Sequence, residues 1–89
     1  MKTTFDVVIL RPGGGGTHVE MTTDLPFTPA VGMEIEQSVW RSTRKIVNVL
    51  LNLDDEYFSA HLGKERPNSR EDADSMVEMY KDHGWEILT

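Results

Sequence analysis

Residues 45–62 alternate between apolar and polar in two arms that can be folded together across Asp54-Asp55. Pairing the arms there sets Leu53 against Glu56, Leu51 against Phe58, Val49 against Ala60 and Val47 against Leu62. On the other face Asn52 meets Tyr57, Leu50 meets Ser59 and Asn48 meets His61. One side is almost wholly apolar and the other mostly polar, as a half-buried antiparallel hairpin requires. Residues 46–53 also carry apolar side chains on both faces. That predicts a strongly bent strand shared between two small sheets and buried on both sides.

The chain before this hairpin reads as a second one. Phe5, Val7 and Ile9 lie on one face of residues 3–11, and Val19 and Met21 on one face of residues 17–24. Setting Arg11 opposite Thr17 places Ile9 against Val19 and Val7 against Met21, so both apolar stripes share a side. Proline followed by four glycines (residues 12–16) stops the ladder and predicts a mobile tip, since glycine loses most entropy on ordering. Pro26 and Pro29 exclude residues 25–32 from a central strand and predict an extended connection pinned by Phe27 and Val31. A short strand is expected at residues 33–37. Val39 and Trp40 would point to opposite faces of a regular strand, so residues 38–44 are expected to hold a bulge or a loose turn.

After Gly63 the period changes. Lys64 to Asn68 is a polar connector, and Ser69 is an N-cap with Asp72 three residues on and an acidic first turn. Ala73, Met76, Val77 and Tyr80 follow helical spacing with Met79 at the margin, and Gly84 after Lys81 and His83 ends the helix. The spacing predicts one helix over about residues 69–83 lying on the sheet, then a short strand or packed tail at residues 85–88. Together these elements make a mainly β, α+β domain over residues 1–89. Five or six short strands with one late helix resemble an SH3-like small antiparallel barrel or a strongly bent sheet.

Composition narrows the picture. Eighty-nine residues with 38% hydrophobic content form one domain with a single core. The absence of cysteine excludes disulfides and thiolate metal sites. No stretch is long and apolar enough to span a bilayer, and Asp6 breaks any signal-peptide core, which points to a soluble cytoplasmic protein. A net charge of −6 works against binding to nucleic acid and anionic lipid.

Candidate chemistry is sparse. The glycines lack the lysine and the helix start of a phosphate loop, because strand-forming Thr17-His18-Val19-Glu20 follows them. His18 and Glu20 project from one strand face, but His61 and His83 lie on other elements and no His-x-x-x-His spacing exists, so no metal is expected. Asp54-Asp55-Glu56 lacks the further ligands of a calcium loop and reads as a tight turn, where Asp tolerates unusual backbone angles. No nucleophile elbow is present, no catalytic residue is expected, and no cofactor motif appears. Arg41, Arg44 and Lys45 beside Trp40, and Lys64, Arg66 and Arg70 before the helix, form two basic clusters in an acidic background, which leaves single-stranded nucleic acid a minor reading. Glu71, Asp72, Asp74, Glu78 and Asp82 form a negative ridge on the helix that could meet a basic partner.

The expectation is a non-catalytic binding or adaptor module that contacts another protein, itself a monomer or weak homodimer. Its expected contact residues are Phe27, Trp40, Arg41, Arg44 and the glycine tip at Gly14 and Gly15. The alternative is a ligand-binding or catalytic domain completed by self-association, with His18, Glu20 and His61 as its polar groups.

Overall fold

The structure is a computed structural model and describes residues 1–88. Strands β1 (Lys2–Leu10), β2 (Gly16–Asp24), β3 (Glu34–Ile35), β4 (Arg44–Lys45), β5 (Asn48–Asn52) and β6 (Tyr57–Glu65) precede helix α1 (Arg70–Asp82), and β7 (Glu86–Ile87) follows it. Five strands form one sheet in the order β5-β6-β1-β2-β7, and β3 and β4 form a separate two-stranded piece. The chain is therefore small and mainly β with one helix, as its patterning requires. The sheet is mixed, not antiparallel, because β1 and β6 run parallel. Its order ends at β5 and β7, and no pairing between those two strands closes it among the described residues.

The central hairpin has the register that its patterning dictates: Asn48 pairs with His61, Val49 with Ala60, Leu50 with Ser59, Leu51 with Phe58 and Asn52 with Tyr57. The turn differs in detail. The left-handed residue is Glu56 (φ 56), not an aspartate, and the Asn52 side-chain oxygen accepts the Asp55 amide at 3.0 Å. In the first hairpin the register is shifted by two residues from the expected one. Ile9 lies opposite Thr17, Val7 opposite Val19 and Phe5 opposite Met21. A shift of two keeps every side chain on its face, so the apolar pattern could not detect it. The loop makes the choice: Gly13, Gly14 and Gly15 all have positive φ, and Arg11 and Gly15 close it through a 3.0 Å backbone bond. Its base is also held by the helix. Arg70 donates to the Pro12 carbonyl at 2.8 Å, and Arg11 pairs with Asp74.

β6 runs past the expected boundary because Gly63, at φ 94, lets the parallel ladder to β1 slip by one residue. Asp6 lies beside His61 before the slip and Val8 beside Lys64 after it. The bend expected between two sheets is present. The chain leaves the small β3–β4 ladder at Ile46 and Val47 and enters the large sheet as β5. Trp40 bonds back to the Gln37 carbonyl at 3.0 Å, a loose turn that buries both Val39 and Trp40.

One face of the sheet carries the core: Phe5, Val7, Ile9, Val19, Ala60 and Leu62, covered by Ala73, Val77 and Tyr80 of α1 and by Val39, Trp40, Ile46 and Trp85. Ser69 caps α1, accepting the Asp72 amide at 3.0 Å, and Gly84 leaves the helix at φ 89. β7 then pairs with β2. The helix lies over β1, β2 and β7. This corrects the expected burial of residues 46–53. Ile46 is 1% exposed, but Val47, Leu50, Leu51 and Leu53 are 57%, 57%, 51% and 78% exposed. Phe27 and Val31, expected to pin the connection, are also exposed. No helix among the described residues is long and apolar enough to cross a membrane.

Candidate interaction surfaces

Three surfaces gather the residues that chemistry would use. The first is a groove of about 410 Å³ between the 38–44 turn and α1, and Trp40, Arg41 and Arg44 all line it. Trp40 is mostly a core residue there. Its ring is 9% exposed, and its indole N–H donates to the Tyr80 hydroxyl at 2.8 Å. It also packs edge-on against Tyr80 and Trp85, with centroids 6.4 and 5.8 Å away. Arg44 lies 5.4 Å over the Trp40 ring and donates Nε to Glu65 at 2.7 Å. The Glu65 hydrogen bond raises the Arg44 pKa, so this cation is committed to its own fold. Burial pushes the Tyr80 hydroxyl up to about 12, against the lowering effect of the Trp40 bond. Arg41 is exposed.

Gly14 and Gly15 lie elsewhere, beside Arg11, Arg66 and Pro67 around a depression of about 550 Å³. Phe27 lies on neither surface. The six expected contact residues therefore fall in three places. Of the acids on the helix ridge, Asp74 is occupied by Arg11.

The second surface is the open face of the sheet. Strand pairing lines up His61, Asp6, Glu20 and Glu86 in one row, with Asp6 between His61 and Glu20. His61 Nδ1 is 2.7 Å from the Asp6 carboxylate. In the adjacent row Thr4 and Thr22 hydroxyls meet at 2.9 Å beside Ser59, and the Lys2 ammonium lies 5.7 Å from the centre of the Tyr57 ring. The residues of this second row, with Lys2, Tyr57, Asp6 and Glu20, bound a shallow depression of about 240 Å³, which His61 and Glu86 do not line. His18, Glu20 and His61 do share this face, His18 one row further along β2. Asp6, which joins them, was missed. Its position on the polar side of β1 was readable, but its neighbour on a parallel strand was not. No group of three or more His, Cys, Asp or Glu residues that could hold a metal ion exists among the described residues.

The third surface is the outer edge of β5. β5 ends the sheet, so no strand pairs with that edge among the described residues. Residues 46–53 contain no charged side chain and no proline. Terminal strands are ordinarily guarded by lysine, proline, bulges or a covering element. β5 itself carries no lysine and no proline, and only Ile46, ahead of it, is covered on that edge, through backbone bonds with Gly32 and Met33.

No protein-family model, curated protein or solved structure matches the chain.

Proposed function

We propose that this chain is a small, soluble, non-catalytic binding module that contacts another polypeptide by strand addition at the outer edge of β5. The supporting observation is the exposure of Val47, Leu50, Leu51 and Leu53 along an uncharged strand that has no partner strand on its outer edge among the described residues. Such an edge supplies main-chain hydrogen bonds to an added strand, and its alternating side chains supply selectivity. A large exposed apolar set on so small a domain is costly unless it is covered in use. The groove beside Trp40 has less free binding capacity, because Trp40 and Arg44 already spend their polar groups internally.

Affinity capture from the native host with the wild type and with Leu50→Lys tests this reading. Leu50 is more than half exposed on the open face, so the variant retains its circular dichroism. The expected result is a partner retained by the wild type and lost by the variant. Identical capture by both would remove β5 as the contact element.

A further inference from the structure

We propose that the strand added at β5 is β5 of a second copy of this chain, giving a two-fold dimer with one continuous ten-stranded sheet. The inference rests on the strand-addition reading above and names its occupant.

The geometry leaves few registers. Residues opposite each other in an antiparallel ladder share a face, and a two-fold axis perpendicular to the sheet preserves faces. The axis must therefore pass beside a residue, not between two. If that residue is Val49, Asn48 falls opposite Leu50 of the second copy. If it is Leu51, Asn52 falls opposite Leu50, and Asn48 opposite Asp54. Only Leu50 on the axis pairs like with like throughout: Leu50 with Leu50, Val49 with Leu51, Asn48 with Asn52 and Val47 with Leu53. Residues 47–53 read Val-Asn-Val-Leu-Leu-Asn-Leu, a polarity pattern identical in both directions.

Charge complementarity at the ends selects the same arrangement. Arg44 and Lys45 precede the strand, and Asp54, Asp55 and Glu56 follow it. Antiparallel self-pairing brings the basic end of each copy to the acidic end of the other, whereas parallel pairing would set like charges together. Lys45, Asp54, Asp55 and Glu56 are exposed and available for this. The interior of the strand adds no repulsion despite the net charge of −6.

The fold is also compatible. The same two-fold places both helices on one side of the joined sheet, and α1 lies over β1, β2 and β7, away from the junction. Val49 and Leu51 of both copies then make one apolar cluster on the helix side, and the two Leu50 side chains meet on the open side.

Sedimentation equilibrium tests the proposal. A junction of one short strand per copy is smaller than a standard interface, so the dissociation constant should be weak, on the order of 100 µM. The wild type should pass from monomer to dimer across that concentration. Leu50→Lys sets two ammonium groups side by side on the axis and should remain monomeric. Lys45→Glu and Asp55→Lys should each dimerise at least about threefold more weakly than the wild type. An equimolar mixture of those two should regain wild-type mass, because each end then meets its opposite charge. A wild type that is monomeric at roughly tenfold above the expected constant overturns the proposal. So does a Leu50→Lys dimer of wild-type strength, or a mixture no stronger than its components. A monomeric wild type whose Leu50→Lys variant still loses a captured host protein refutes self-pairing alone and leaves the strand-addition reading standing.

Discussion

The Trp40 indole N–H and the Tyr80 hydroxyl, 2.8 Å apart, join the 38–44 turn to the helix inside the core. Trp85 packs on both rings, 5.8 Å from Trp40 and 5.1 Å from Tyr80, yet its own indole nitrogen is buried with no protein partner. The two tryptophans thus have similar burial and opposite hydrogen-bond standing.

Replacing each tryptophan separates packing from hydrogen bonding. Trp40→Phe and Trp85→Phe remove the same ring volume. Trp40→Phe also takes away the donor that the Tyr80 hydroxyl accepts and leaves a smaller ring, a weaker cation–π partner, near Arg44. It should cost about 1–2 kcal/mol more than Trp85→Phe in denaturant unfolding. Trp40→Ala should cost about 3–5 kcal/mol, a large part of the stability of so small a domain.

Alkaline stability should fall through Tyr80. Its folded pKa is about 12, raised by burial, against the ordinary value of 10.0. Between those values the unfolded chain loses a proton that the folded one retains, so unfolding becomes easier as pH rises. Below pH 10 the contribution is fully present. Unfolding midpoints measured from pH 9 to about pH 12 should decline less steeply for Tyr80→Phe than for the wild type.

Among the described residues, Ser69 is the only side chain that accepts a first-turn amide of α1. Ser69→Ala should lower stability by about 1 kcal/mol, and Ser69→Asp should restore it, since carboxylates are favoured at a helix start. Paired urea titrations of the two variants measure the difference.

Glu56 occupies the left-handed region at φ 56, where a side chain with a Cβ is strained. Glu56→Gly should stabilise the chain by roughly 0.5–1 kcal/mol, the relief exceeding the entropy that glycine adds to the unfolded state. A higher melting temperature with unchanged circular dichroism is the expected observation.

The elements were largely legible because each rests on local periodicity. Alternation over residues 48–61 specified both strands and their register, and Ser69, the apolar stripe and Gly84 marked the helix. The candidate surfaces were less so. Trp40 and Arg44 read as a contact pair because an aromatic beside arginines has the same composition in a groove as in a core. Phe27 was expected to pin its segment and is half exposed instead.

What local order alone decided, then, is which residues extend, which coil and which sides of them are apolar. The parallel union of β1 with β6 belongs to the tertiary structure, because no adjacent segment encodes a pairing across fifty residues of chain. So does the position of the helix. A helix with one apolar stripe can cover only part of a five-stranded sheet, and its placement over β1, β2 and β7 leaves Leu51 of β5 exposed. Leu51, on the helix side of β5, would be core under the helix and is surface beyond it, a difference set by coverage and not by hydropathy.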